Sequence, residues 1–386
     1  MGTTETTPRD LSNQTGRAYT KHRTVVAELQ FLGQFAAIIA YGFFGLQQGP
    51  VEIARAITNN FYVQAAICWL PLWLLCVVCS LPFSFYSFYL HRRFGLAKSN
   101  LSGWLWDLLK ANALGFVFGG VLLEVIFAAN LFSSSLGWIL AGILCSLLFM
   151  GVSRLLPWLM SLFYPVVPLA DGALRDGLID LARKAGIRVG AVYEWRISAR
   201  TSQANAFVSG VGRARRITLT DTLLQELSPE EVEAIVAHEL GHYAHHHIWK
   251  RVLLQVPIFC GIFWVISLTV RTEMIWFAET GKGWADLKLI PGLFFLWQIG
   301  HIYGRLIVAA FARKQEKEAD LFGWKLMSGS RAFISAMQKL TALNLIVFDR
   351  GTQWKYQHPP TADRIAAAEQ FERDASENLE QERQEA

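Results

Sequence analysis

Ser228-Pro229-Glu230-Glu231-Val232-Glu233-Ala234-Ile235-Val236-Ala237-His238-Glu239-Leu240-Gly241-His242 carries both a fold signal and a chemical one. Ser228 at the N-cap, Pro229 at N1 and Glu231 at N3 make a capping-box start, so a helix is predicted to follow. Positions i and i+4 share a helix face. His238 and His242 can therefore both reach one ion at about 2.0–2.1 Å, with Glu239 beside the place a bound water would take. H-E-x-x-H also arises by chance, as two unrelated surface histidines. The helix start, the apolar flanks and the small Gly241 favour a zinc site, one ion per chain.

A catalytic zinc takes three protein ligands and leaves one position open. The stretch Arg313-Lys314-Gln315-Glu316-Lys317-Glu318-Ala319-Asp320 follows the last apolar run and can return to the same side of a membrane. Spacing leaves Glu316, Glu318 and Asp320 as alternatives. Glu316 and Asp320 share a face, which suits one as ligand and the other as acceptor for a ligand imidazole. The bland reading is a solvated charge run. His245, His246 and His247 are read as continuing the catalytic helix, solvated at its end rather than competing for metal.

Of the 386 residues, 53% are apolar or aromatic and 17% charged, against about 25% charged in a soluble domain. A bilayer core needs about 20 apolar residues per helix. Six segments meet or approach that: Leu29–Gln47, Phe61–Leu90, Ala113–Phe132, Leu136–Tyr164, Val252–Val270 and Leu289–Phe311. The first reads as an anchor, and Pro71, Pro82 and Pro157 are expected to kink or tilt the long second and fourth. Lys and Arg fall on alternate connections, placing both termini and Pro165–Arg251 in the cytoplasm. Net charge +5 without a basic cluster argues against nucleic acid. Five cysteines, all in apolar runs, read as membrane-core thiols, Cys76-x-x-Cys79 included.

Two regions follow: residues 1–164 with four spans, and residues 165–386 with two more and a polar tail. In the polar segment Asp171–Gly186 has helical periodicity, and Val192–Ile197, Ala206–Val211 and Arg216–Thr220 suit strands. Gly210, Gly212 and Arg213–Arg216 read as a hairpin turn. The expected fold is mainly α: about six transmembrane helices with a cytoplasmic α+β metallopeptidase domain of the zincin type.

Leu81-Pro82-Phe83 through Arg92-Arg93-Phe94-Gly95-Leu96, Pro168-Leu169-Ala170-Asp171-Gly172, Asn205-Ala206-Phe207, Ala237 to His242, Glu316 to Asp320, and His358-Pro359-Pro360 with Arg364 occur in that order. With them the chain resembles the integral-membrane zinc metallopeptidases typified by the type I CAAX prenyl endopeptidase, of which HtpX is a smaller relative. The resemblance implies Glu316 as third zinc ligand and Asp320 as the acid behind a ligand imidazole. It implies Asn205, Ala206 and Phe207 as an edge strand that binds substrate backbone, and His358 and Arg364 as groups holding substrate or the developing oxyanion. Eukaryotic members have seven spans around a hollow chamber, against six counted here.

The leading reading is a zinc endopeptidase with Glu239 as general base, acting in CAAX-type processing or membrane protein quality control. Its substrates are peptides or proteins, lipid-modified or membrane-associated. The last residues, Gln384-Glu385-Ala386, carry no endoplasmic-reticulum retention signal, so the bacterial inner membrane is preferred. A metal or solute transporter is the alternative, and it predicts polar groups at mid-membrane in broken helices. An inactive relative is the third, and the intact H-E-x-x-H speaks against it. Glu124, Arg154, His301 and Arg305 lie in or near the spans, where ionisable groups are functional candidates.

Overall fold

The computed structural model describes residues 8–210, 215–274, 282–345 and 356–385. Its first half is helical: α1 (Pro8–Phe43), α2 (Gln48–Ile57), α3 (Phe61–Arg93), α4 (Leu101–Phe132) and α5 (Gly137–Ser161). The caps explain two of the starts. Asn60 accepts hydrogen bonds from the Tyr62 and Val63 N–H groups, and Asn100 accepts from Gly103 N–H. The helix α3 stays continuous through Pro71 and Pro82.

Among the described residues, five helices have the length and composition to cross a membrane: Thr15–Phe43, Phe61–Arg93, Leu101–Phe132, His247–Arg271 and Leu287–Leu326. The expected fourth crossing is α5, whose described apolar stretch, Gly137–Val152, is shorter. Leu72, Phe127, Phe263 and Ile266 are buried between helices, whereas Leu74, Val78, Phe85 and Leu109 stand exposed. Exposed apolar side chains on a long helix suit acyl chains rather than water. The connection after α1, expected to face outward, is itself a helix, α2, with Val51 and Ala54 buried.

The second half alternates: β1 (Val166–Pro168), α6 (Ala173–Lys184), β2 (Ala191–Trp195), β3 (Ala206–Ser209), β4 (Arg216–Thr220), α7 (Asp221–Glu226), α8 (Pro229–Ala244), α9 (His247–Arg271), α10 (Ile290–Leu326), α11 (Arg331–Asn344) and α12 (Thr361–Glu385). The sheet order is β1-β2-β4-β3, with β2 and β4 parallel and the outer pairs antiparallel. The three expected strands are present and β3 lies at an edge. The three-residue β1 is too short for a sequence pattern to reveal. Residues 211–214 of the expected turn lie outside the described residues, as does the Arg154 side chain. Leu178, Ile217, Leu219, Leu223 and Leu240 are fully buried between α6, the sheet and α8.

One expectation is corrected here. The helix α8 ends at Ala244 and does not continue through the histidines, because His246 adopts a left-handed conformation with φ 57°. That conformation is uncommon for a residue with a Cβ. It turns the chain sharply, and His247 starts α9 buried against the end of α8.

The capping box at Ser228 forms as predicted, and it does more than start a helix. Glu231 accepts from Ser228 N–H at 2.7 Å, from Lys339 Nζ at 2.7 Å and from Ser335 Oγ at 2.6 Å, tying α8 to α11. Burial pushes the Glu231 carboxyl up, but the bonds from Lys339, Ser335 and Ser228 outweigh it and hold it below its ordinary value. Glu231→Gln is expected to cost about 1–3 kcal/mol at neutral pH. Because the folded-state pKa is depressed, the wild type holds this stability in full above the unfolded value of about 4.3 and loses it as pH falls through the folded one. The difference between the two melting curves should therefore close on acidification. A constant difference down to about pH 3 would count against the assignment.

Candidate metal centre

The centre forms where α8 crosses the far end of α10. At about 1.5 Å per residue, the 37 residues of α10 span about 55 Å, well beyond a bilayer core of about 30 Å. Glu316 and Asp320 sit in the excess. The crossing is close because small residues face each other. A Cβ on Gly241 would lie 2.9 Å from Ala319 Cα and 3.0 Å from its carbonyl oxygen, and one on Gly323 would lie 3.1 Å from the His238 nitrogen. Neither neighbour can move, since both are backbone.

This approach brings one ligand atom each of His238, His242 and Glu316 within 4.8 Å of one another. His238 Nε2 lies 3.6 Å from Glu316 Oε2, and His242 Nε2 lies 3.4 Å from Glu316 Oε1. Charge-assisted hydrogen bonds are shorter, about 2.7–2.9 Å. Tetrahedral ligands at about 2.0–2.1 Å from zinc would be about 3.3–3.4 Å apart. The donor set therefore fits the ion in chemistry and in spacing.

Asp320 Oδ1 accepts from His238 Nδ1 at 2.8 Å. That bond puts the imidazole proton on Nδ1 and leaves the Nε2 lone pair facing His242 and Glu316. Burial pushes the His238 pKa down, but the Asp320 carboxylate more than reverses this and holds it above the ordinary value. Asp320 is held in turn by Arg364, at 2.9 Å to Oδ2 and 2.6 Å to Oδ1. Burial again opposes charge on Arg364, and Asp320 again outweighs it, keeping the guanidinium pKa above its ordinary value. Arg364 also lies over the Phe333 ring at 5.2 Å. Expected at the substrate, Arg364 is thus a buried partner of Asp320, because a bidentate carboxylate satisfies its guanidinium there.

His358 is 58% exposed, with Nδ1 2.7 Å from Glu316 Oε2, so it borders the centre from the open side. Glu239 is half-buried. Glu318, the alternative ligand, points away and bonds His247 Nε2 at 3.0 Å. His247, expected at a solvated helix end, is instead buried, and Arg251, not among the expected site residues, places a guanidinium nitrogen 3.7 Å from Glu316 Oε1. A second signal was available in the five-residue step from His242 to His247, but only the bend at His246 gives it meaning.

The edge strand β3 faces α8. Thr220 N–H donates to Asn205 C=O, so by antiparallel alternation Ala206 and Val208 direct their N–H and C=O groups to the open edge. Two of those four are already occupied. Ala206 N–H is taken by Asn205 Oδ1 at 2.9 Å, and Val208 C=O accepts from Tyr243 Oη at 3.3 Å. Burial pushes the Tyr243 hydroxyl pKa up to about 12, keeping it a donor. Among the described residues, Val208 N–H and Ala206 C=O remain for an added strand, and Phe207 is half-buried beside them.

A cavity of about 760 Å³ lies between α4, α5, α9 and α10 and runs from Trp297, His301 and Arg305 to Arg251 and Gln357 near the centre. His301 and Arg305 thus face a hollow, while Glu124 is half-buried outside its lining. The metal-ligating types gather beyond the apolar part of α10 rather than at mid-membrane, against the transporter alternative.

Residues 168–372 match peptidase family M48, and residues 10–167 match the CAAX prenyl protease N-terminal region of five membrane helices. The chain is 27% identical over 328 residues to CAAX prenyl protease 1 of Saccharomyces cerevisiae, covering 79% of this chain and 72% of that protein. It is 32% identical over 300 residues to the probable CAAX prenyl protease 1 of Schizosaccharomyces pombe, covering 74% and 62%. An uncharacterized metalloprotease of Bacillus subtilis, YhfN, is 31% identical over 218 residues, covering 55% and 51%. The crystal structure of S. mikatae Ste24p has the same fold, with a TM-score of 0.80 at 24% identity over 93% of this chain and 89% of that one.

If the small-residue crossing sets the centre, Gly241→Val should lose zinc as fully as Glu316→Ala, although it alters no donor. Elemental analysis of the purified variants checks this. Full zinc in Glu316→Ala would refute the third ligand, and full zinc in Gly241→Val would refute the role of the crossing.

Proposed function

This chain belongs to peptidase family M48 and is a multi-pass membrane metallopeptidase, and on that premise we propose a zinc endopeptidase that cleaves lipid-modified, membrane-associated proteins at the cytoplasmic face of a bacterial inner membrane. One zinc per chain is held by His238, His242 and Glu316. The observation that carries the reading is the separation of their ligand atoms, 3.4 and 3.6 Å. Zinc, when bound, polarises a carbonyl and lowers the pKa of a bound water to about 7.

The protein's own groups do the rest. Glu239 takes a proton from the attacking water and hands it to the leaving amine. His358, on the open side of Glu316, donates to the oxyanion as charge builds on the carbonyl oxygen. Asp320 fixes the His238 tautomer, and Arg364 acts through Asp320 as a positioning residue rather than by touching substrate. The substrate lies extended along β3, beside Asn205 and Phe207, with main-chain bonds to Val208 N–H and Ala206 C=O. Such bonds carry no sequence preference. Selection therefore falls to side-chain pockets and to the cavity, whose apolar walls of Phe259 and Trp297 suit a lipid chain. The relatives named CAAX prenyl proteases favour a prenyl group as that chain.

Glu239→Gln and Val208→Pro separate these roles. Glu239→Gln should keep zinc and KM while lowering kcat by about 10²–10⁴-fold. Val208→Pro removes one edge N–H, so it should raise KM with zinc and kcat largely kept. Cleavage of a quenched fluorescent peptide measures both. Near wild-type turnover by Glu239→Gln would end its assignment as base, and an unchanged KM in Val208→Pro would move the substrate off β3.

The topology has its own test. Single cysteines at Arg200 and Ser376, in a background freed of the five native cysteines, should both react with an impermeant maleimide only from the cytoplasmic side. Labelling from opposite faces would refute the placement.

A further inference from the structure

His242 lacks what His238 has, a carboxylate on the nitrogen that faces away from the metal position. Its Nδ1 lies 2.9 Å from His247 Nδ1 instead, and His247 Nε2 lies 3.0 Å from Glu318 Oε2. His247 is 1% exposed, so both its ring nitrogens need partners inside the protein. Its carbonyl accepts from Gln315 Nε2 at 3.5 Å, and Gln315 Oε1 accepts from Arg251 Nε at 2.6 Å. The His245 ring stacks on it at 5.5 Å. The left-handed turn at His246 sets the ring in this place.

With His247 neutral, one arrangement of protons satisfies every contact. An ionised Glu318 only accepts, so a neutral His247 carries its proton on Nε2 and offers a lone pair on Nδ1. The proton between the two imidazoles then belongs to His242 Nδ1. That leaves the His242 Nε2 lone pair directed toward Glu316 Oε1, 3.4 Å away.

We infer that His247 and Glu318 form a relay that fixes the tautomer and ring orientation of His242, doing through an intervening imidazole what Asp320 does directly for His238. Both are positioning residues, and neither is a ligand. The inference rests on the reading of His242 as a zinc ligand. It also explains why an acid stands at Glu318 on the face of α10 that Glu316 and Asp320 do not use.

Zinc affinity, measured by chelator competition on the full-length detergent-solubilised protein, tests it. His247→Leu should weaken zinc binding about 10–100-fold with little change in melting temperature. His247→Asn places an amide oxygen near the position of Nδ1, so it should recover most of the affinity. A residue needed only for packing would not be rescued by the smaller polar side chain. Glu318→Ala should weaken binding in the wild type and add nothing in His247→Asn. Its side chain is 35% exposed, so this arm holds even if His247→Leu fails to fold. In the cobalt-substituted protein, His247→Leu should shift the visible absorption bands, which report ligand geometry.

Wild-type affinity in Glu318→Ala, or in a folded His247→Leu, would overturn the relay. Loss of zinc in Glu318→Ala as complete as in Glu316→Ala would make Glu318 a ligand and overturn it as well. Unchanged affinity in His242→Ala would instead remove the ligand reading beneath it, so the two failures are distinguishable.

Discussion

The close crossing of α8 and α10 is the contact on which the rest of the site depends. Gly241 meets Ala319 backbone to backbone, and Gly323 meets the His238 nitrogen. Dispersion between closely spaced main chains holds such a crossing, and a single methyl at Gly241 would force the helices apart. Glu316 lies one turn before Ala319, and Asp320 lies next to it. An opening of a few tenths of an ångström would therefore carry both carboxylates away from their imidazoles together.

Because α10 is also a membrane-spanning helix, the same contact joins chemistry to the bilayer. Its apolar part packs against α9 and α1, and its polar end supplies the acids. A tilt of the span would be felt directly as a displacement of Glu316. The cavity lies alongside this helix, with His301 and Arg305 on the face that lines it. A lipid chain in that cavity would touch the element that carries Glu316, the proposed third ligand, which would link occupancy of the membrane part to the geometry of the centre.

The charges at the centre are costly to bury. Glu316, Asp320 and Arg364 are almost wholly enclosed, and buried ions generally cost stability unless each is paired and hydrogen-bonded. Here the pairs interlock: Arg364 with Asp320, Asp320 with His238, and Glu316 among three imidazoles and the Arg251 guanidinium. Replacing such buried pairs by apolar residues of similar volume is often neutral or stabilising. The network makes sense as preorganisation for a cation, at the expense of folding energy.

Much of this was legible in the sequence because its signals are local. The capping box at Ser228, the four-residue step of H-E-x-x-H, the long apolar runs and the short β-branched segments are periodicities that the chain carries whatever it packs against. The choice of Glu316 over Glu318 needed the family resemblance, since two acids two residues apart are equivalent in spacing. Tertiary structure decided what depends on distant segments meeting. The reversal at His246 hinges on one backbone dihedral, and it takes His247 into a buried contact with His242 while His245 and His246 stay exposed as expected. Arg364, 44 residues after Asp320, found its carboxylate only when α12 closed over α10. On β3, the Val208 carbonyl is taken by Tyr243 from α8. Pattern in the sequence fixes the direction of a side chain relative to its own helix or strand, whereas the partner it meets depends on the crossing angle and spacing of elements far apart in the chain.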